Sequence, residues 1–479
     1  APVSVTNGAD FLDYSFTGSG QVTASGGGTN WALTTADTRS FTFSAATVGT
    51  NAGSLAVTAA SPQTANANIT NNFSLEVLHH ATASFASNSV TSLLDLDLGN
   101  IAFGDASAVR TFDLFNLPGA AGSVWTARLD LDSIRETDVS GLFSTTLTPF
   151  SNLAAGASSG YAVSMAAAAL GSFTGSFTLN LSDEDLPGAT AQSLSITVRG
   201  TVNGNLDVGA GQTRTESNAI TGTGTLVKEG AGTLVLAGAN TFTGATTVAA
   251  GVLALDGSGS LANTTAIFIA SGAKFDVTAR TNGFTIEAGQ VLSGSGTVDG
   301  DLAVSGTVSP GNSPGTLVIT NGDLTWNAGG NYDWEIYDID DGPGTGWDHI
   351  DITGGTLLFS GLGAETPFNI NLLSLSALPD TAGPLTGFNP AANYSWTILT
   401  ASSAISGFDP AHFFLNTSGF APYNPYGGAF SLVANGNNLN LLYTGAATSI
   451  PEPGTWLAAA LLTAAAWLRW RRRCAASRS

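Results

Sequence analysis

Apolar and polar residues alternate along most of this chain. Leu94-Asp95-Leu96-Asp97-Leu98 and Leu194-Ser195-Ile196-Thr197-Val198 are two such runs. A period of two sends successive side chains to opposite faces, so one face is buried and the other wet, the signature of a β-strand. The runs are short and separated by Gly, Asn and Asp, residues that admit tight turns and positive φ. One stretch departs from this rhythm: Gly454–Leu468 is apolar throughout and rich in Ala and Leu, and it predicts a helix. The pattern as a whole predicts a mainly β chain with helical character only at its end.

Four regions are expected. In residues 1–203, Leu96-Asp97-Leu98-Gly99-Asn100-Ile101-Ala102-Phe103-Gly104 precedes a strand over 110–116, and Ser193–Val202 reads as a closing strand. This resembles the immunoglobulin-like modules of bacterial surface proteins and implies an N-terminal Ig-like β-sandwich. Residues 204–325 contain Leu226-Val227-Lys228-Glu229-Gly230-Ala231-Gly232-Thr233-Leu234-Val235-Leu236, then Ala237-Gly238-Ala239-Asn240-Thr241-Phe242-Thr243-Gly244 and Ala250-Gly251-Val252-Leu253. The stretch resembles the autotransporter-associated β-strand repeat of secreted passenger domains, with Phe242 where that repeat usually has tyrosine, and it implies a central parallel β-solenoid. Recurrent glycines permit sharp corners, Thr and Val favour strands, and Leu234, Leu236 and Val248 are expected to stack inward from successive coils. Asn240, Asn263, Asn282 and Asn312 are candidates to satisfy corner backbone groups. The span Gly289–Trp326, with Gly311-Asn312-Ser313-Pro314-Gly315-Thr316-Leu317, reads as a degenerate continuation. Residues 326–447 contain Tyr332-Asp333-Trp334-Glu335-Ile336, Gly346-Trp347-Asp348-His349-Ile350 and Gly436-Asn437-Asn438-Leu439-Asn440-Leu441; they resemble the module that joins such solenoids to a C-terminal anchor, and a β cap is expected there because an uncapped end exposes unpaired backbone.

Residues 448–479 place Pro451-Glu452-Pro453 before the apolar run and Arg469, Arg471, Arg472 and Arg473 after it. This order resembles the PEP-CTERM sorting signal, and the resemblance implies cleavage by a membrane transpeptidase of the exosortase type. The run is then expected to be a terminal single transmembrane α-helix, with Trp456, Leu457, Leu461 and Leu462 in the membrane and Trp467 and Trp470 at the interface. Its fifteen residues reach only about 22 Å as a helix, against a hydrocarbon core of about 30 Å, so arginine side chains must snorkel past the mismatch. A basic cluster stays cytoplasmic by the positive-inside rule, which puts the acidic bulk of the chain on the other side. The competing reading, a buried amphipathic helix before a solvated basic tail, lacks a polar face to show water.

Composition narrows the function classes. The 479 residues carry a formal net charge of −21, only 10% are charged, and glycine numbers 59. Between Thr281 and Leu468 there is no Lys or Arg, and a long stretch without cationic side chains to release counterions argues against nucleic acid as a partner. Cys474 is the single cysteine, so no internal disulfide can staple the fold. The start, Ala1-Pro2-Val3-Ser4-Val5 with no initiating methionine, suits a product trimmed after a secretory signal peptide.

Candidate chemistry is sparse. Gly156-Ala157-Ser158-Ser159-Gly160 and Gly311-Asn312-Ser313-Pro314-Gly315 match the nucleophile-elbow pattern, but chance matches are expected in so Gly/Ser-rich a chain. Pro314 moreover has no amide hydrogen for an oxyanion. His79 and His80 are adjacent and on a strand would face opposite ways, which disfavours joint chelation. Asp338, Asp340, Asp341 and Asp348, with Asp351, form the best metal candidate, calcium being the fitting cation, although the spacing fails the EF-hand template and a solvated acidic loop is the simpler reading. Trp334, Tyr337 and Trp347 are read first as core and second as a platform for sugar rings. The solenoid region offers few cations, Arg214, Lys228, Lys274 and Arg280.

The reading is an exported surface or extracellular-matrix structural protein, not an enzyme and without a cofactor. Its expected partners are the secretion translocon, an exosortase-type transpeptidase, the membrane through the C-terminal helix and, by resemblance, extracellular polysaccharide of a biofilm. The alternatives are an adhesin or glycan-binding passenger-like protein and, behind it, a polysaccharide lyase or hydrolase built on the solenoid.

Overall fold

The computed structural model describes residues 12–31, 39–45, 47–59, 68–120, 122–446, 465–467 and 469–470. They fall into two compact units, 1–167 with 172–201, and 168–171 with 202–479.

In the first unit the alternating runs pair antiparallel. Ser25–Trp31, Leu12–Gly20, Gly49–Ala59 and Asn68–Val77 lie side by side in that order. A second sheet places Leu129–Glu136 between Phe150–Leu153 and Ala169–Asp183, and a third runs Phe143–Thr145, Ser158–Met165, Ala108–Asn116, Ala83–Ser84. Their apolar faces close on each other. Leu114, Val163 and Met165 from one sheet, and Leu129, Leu179, Leu181, Ile196 and Val198 from the other, are inaccessible to solvent. Gly200 lies against the end of the Met165 side chain, which brings the two sheets together at that point.

The second unit is built from parallel ladders stacked coil on coil. On its first face Gly204, Leu226, Thr246, Ile267, Leu292, Val308, Tyr332, Ile370 and Leu415 are successive register partners. On the second face Leu234, Leu253, Phe275, Val298, Ile319 and Ile352 form the matching column. A third face joins from Phe284 onward, through Leu302, Leu324 and Leu357. Neighbouring strands in such ladders lie about 4.8 Å apart, so the columns are stacks of mostly apolar side chains at that interval, with Thr246 the buried hydroxyl of the first. Period-two patterning within each short strand puts every second residue into this stack, and Leu234, Leu236 and Val248, expected to point inward, are completely buried.

Close stacking also dictates the glycines. Gly251 has a φ of 66°, and a methyl on it would strike the Gly232 carbonyl of the preceding coil. Both backbone conformation and space therefore demand glycine.

At the far end the ladders change sense. Tyr394–Thr400 pairs antiparallel with Asn438–Thr444, which pairs antiparallel with Ala429–Asn435. These strands carry an aromatic core: Trp396 stacks on Tyr394, ring centroids 5.3 Å apart, and Tyr443 lies against Phe388 and Phe430. Below it Trp326 stacks on Phe368 at 4.4 Å and 2°.

The terminal transmembrane helix is corrected. Among the described residues no helix is long and apolar enough to cross a membrane, and a fifteen-residue apolar run is physically short for that task. The helical residues described there are Ala465, Ala466, Trp467, Arg469 and Trp470, all exposed. Pro451, Glu452, Pro453, Trp456, Leu457, Leu461, Leu462, Arg471, Arg472 and Arg473 lie outside the described residues.

Truncating the central column should show how much the stack carries. Leu253→Ala is expected to lower the unfolding free energy by about 2–5 kcal/mol in urea titration, whereas Leu358→Ala, at a position 40% exposed, should change it by less than about 0.5 kcal/mol.

Candidate functional site

The distinctive chemistry of the second unit is polar and buried. A coil that turns a corner points backbone carbonyls and amides inward, where water cannot reach them, and each must find a partner. Lys228 sits on the inward side of its strand, in register with Leu206 and Val248, and is wholly buried. Its Nζ donates to the carbonyls of Glu229 (2.6 Å), Gly230 (2.8 Å) and Ala250 (3.2 Å), tying one coil to the next. Burial pulls its pKa below that of free lysine, with Asp207 opposing.

Asn240 does the same twenty residues on either side. Its Oδ1 accepts from Ile220 N (2.9 Å) and its Nδ2 donates to Ser260 O (3.2 Å). Asn263, Asn282 and Asn312, expected in similar roles, are exposed. The further corner plug is Gln290, buried, with Nε2 on the carbonyls of Leu261, Ala262 and Thr264 and Oε1 accepting from Glu287 N. Sequence reading missed it, although a lone Gln before Val291-Leu292 was visible.

The acidic loop is divided by the fold. Asp348 is buried, its Oδ1 accepting from Gly315 N (2.8 Å) and its Oδ2 from Glu335 N (3.0 Å). The Trp334 indole donates to its carbonyl at 2.9 Å. Asp338 instead accepts from Asp340 N, and among the described residues no group of three or more His, Cys, Asp or Glu could hold a metal ion. Burial, followed by repulsion from Glu335, raises the Asp348 carboxyl well above the usual carboxylate range. Burial also raises Glu335, with Asp380 and Asp333 adding to it and a hydrogen bond from Ser313 opposing.

Ser313, of the second elbow match, is buried at a φ of 71° and accepts from Asp380 N; it knits coils together and faces no solvent. Ser158 and Ser159 lie inside the strand Ser158–Met165. The aromatic candidates separate too. Trp334 is fully buried, Trp347 is nearly so with its indole on the Thr397 carbonyl, and Tyr337 is half-buried.

The cations do not gather. Lys274 pairs with Asp299 at 2.8 Å, Arg214 with Glu216 at 2.6 Å, and Arg280 holds the carbonyls of Gly259 and Gly283. Of the histidines, His349 is buried against Thr400, and burial lowers its pKa. His80 stands 2.6 Å from Asp183, on a cleft of about 310 Å³ that Leu75, Glu76 and Leu186 also line. Asp183 is held below the usual carboxylate range: burial pushes it up, but His80, Thr190 N and Ala81 N outweigh that.

Two outcomes are expected from this chemistry. Lys228→Met leaves three carbonyls without their donor and should cost about 3 kcal/mol of stability by urea titration. For Asp348 the folded pKa lies above the unfolded one, so its contribution is complete below pH 3.8 and is lost as pH rises through the folded value. The unfolding free energy should therefore fall as pH climbs above 3.8, and Asp348→Asn should flatten that slope while forfeiting about 1–3 kcal/mol of backbone hydrogen bonding.

Comparison with known proteins places Lys228 and Asn240 within a recognised unit. Residues 226–255 match the family model described as Passenger-associated-transport-repeat. A search of curated proteins finds no match. Among solved structures, a protein of unknown function from Porphyromonas gingivalis W83 is 12% identical, covering 41% of this chain and 89% of its own, at a TM-score of 0.17. The zebrafish RET cadherin-like domains 1 to 4 are 9% identical, covering 43% of this chain and 48% of theirs, at a TM-score of 0.19; likenesses this low carry no fold assignment. The repeat match supports a passenger-type, extracellular, β-rich protein.

Proposed function

We propose that this chain is an exported cell-surface or extracellular-matrix structural protein, delivered through the secretion translocon and sorted at Pro451-Glu452-Pro453 by an exosortase-type membrane transpeptidase. The observation that carries the extracellular setting is the passenger-type repeat at 226–255. The sorting step is supported by the order of Pro451-Glu452-Pro453, apolar run and Arg469–Arg473 in the sequence. Prolines at 451 and 453 deny that segment a helix and keep it open to a processing enzyme.

The protein acts by being there, not by turning over a substrate. Buried Asp348, Ser313 and Lys228 are engaged with backbone groups, which suits a scaffold whose polar interior holds coils together. The matrix polymer it accompanies is extracellular polysaccharide. A glycan-binding role on the same scaffold is favoured by an open polar face around Asn371, where Phe414 is 54% exposed.

Processing is checked by intact mass and location in the native cells, with Pro451-Glu452-Pro453 intact or replaced by three alanines. Loss of the terminal peptide and arrival at the surface are expected for the unaltered chain alone. Equal mass and equal location of both forms would remove the sorting reading.

A further inference from the structure

On the outer side of the first solenoid face, two rows of residues run from coil to coil. Asn331, Asn369 and Phe414 are successive register partners, and so are Asp333, Asn371 and Asn416. Their side chains are joined along the row: Asn371 Nδ2 donates to Asp333 Oδ1 (2.6 Å), Asn416 Nδ2 to Asn371 Oδ1 (3.0 Å), and Asn369 Nδ2 to Asn331 Oδ1 (3.1 Å). Ser418 N fixes the last amide by donating to Asn416 Oδ1 (3.1 Å). A row bonded in this way holds its amides in one orientation, with little rotamer freedom left to lose on binding.

The row does not exhaust its own capacity. An amide has two N–H donors and a carboxylate several lone pairs. Among the described residues, Asn371 and Asn416 each use one N–H in the ladder and the Asp333 carboxylate engages Asn371 through Oδ1 alone, whereas Asn369 spends its Nδ2 on Asn331 Oδ1 and the Gly330 carbonyl and keeps its own Oδ1 as acceptor. Beside these groups Phe414 is 54% exposed, on the strand Phe413–Gly419, which among the described residues pairs with Phe368–Ala377 alone. Its neighbour Phe413 faces the other way, into Trp326 and Phe359, so the exposure of Phe414 is not a failure of core packing.

We propose that this face binds a neutral polysaccharide running along the solenoid axis, with Phe414 as the stacking platform and Asp333, Asn371 and Asn416, with Asn369 of the adjoining row, as the hydroxyl-binding groups. A sugar ring offers an apolar C–H face to an aromatic ring and hydroxyls to fixed amides, and this surface presents both side by side. Charge selects the polymer class. No Lys or Arg occurs between Thr281 and Leu468, Asp333 and Glu335 line the face, and His412, two positions before Phe414, lies beside Asp409, so an acidic polysaccharide finds no permanent cation there to pair with. The surface is open and its groups repeat from coil to coil, which suits a polymer held by several weak contacts better than a single sugar.

The inference rests on the extracellular setting proposed above and is tested apart from sorting. The purified chain is run in native gels containing dextran, hydroxyethylcellulose, galactomannan or polygalacturonate. Retardation by at least one neutral polymer and none by polygalacturonate is expected. Phe414→Ala should weaken that retardation about tenfold or more with an unchanged melting temperature, and Phe414→Trp should restore it. The proposal is overturned if no neutral polymer retards the chain, if polygalacturonate does so as strongly, or if Phe414→Ala behaves as wild type. It is equally overturned if Phe414→Ala abolishes only self-association at high protein concentration. Retardation that persists in a chain whose Pro451-Glu452-Pro453 is never processed would leave this face standing and remove the sorting reading alone.

Discussion

Where the coils of the second unit turn corners that leave backbone polar groups inside the stack, those groups must find partners, and the stack depends on meeting them. Between corners the parallel ladders satisfy the backbone, and the columns of Leu, Ile, Val and Phe supply apolar burial. At the corners the ladder lapses, and an unpaired buried carbonyl or amide costs about 1–3 kcal/mol. Lys228, Asn240, Gln290 and Asp348 fill these gaps, each spanning backbone groups of neighbouring turns. Four different side chains solve one problem, because each corner presents a different ratio of donors to acceptors: three carbonyls take an ammonium, two amides take a carboxylate.

That solution has an electrostatic consequence. A buried ammonium and a buried carboxyl are both disfavoured as ions, and their pKa values move toward neutrality for the same reason. In an active site such shifts prepare a proton transfer; here the perturbed atoms have backbone partners and no access to solvent. The polar interior is therefore coil-to-coil fastening in a chain whose single cysteine, Cys474, allows no internal disulfide.

The proposed glycan contact lies on the outside of the same columns. Alternation along each strand means that a residue inward in the stack is flanked by residues outward in a row, so a solenoid that orders its core also orders a surface repeat. Around Asn371 that row is amides and a carboxylate, next to an exposed phenyl ring. Elsewhere the outer rows hold Thr and Val, or ion pairs such as Lys274 with Asp299, which serve solubility and sheet packing.

Much of this was legible in the residues. Period-two runs determined that the chain is β, and glycine spacing with Leu234, Leu236 and Val248 determined that residues near 226–255 stack inward, because a backbone with no room for Cβ declares itself through glycine. The apolar run before the arginines suggested a membrane span, yet fifteen residues are few for one, and among the described residues no helix meets that need. What only the tertiary structure decided is which polar residues go inside. Asp348 sits among four other aspartates in the chain, but the amides of Gly315 and Glu335 claim it and leave Asp338 and Asp340 in the loop. Lys228 looks like a surface cation until its register with Leu206 and Val248 is known. These assignments turn on contacts between residues some twenty or more positions apart, and a one-dimensional pattern carries no record of which coil lies on which.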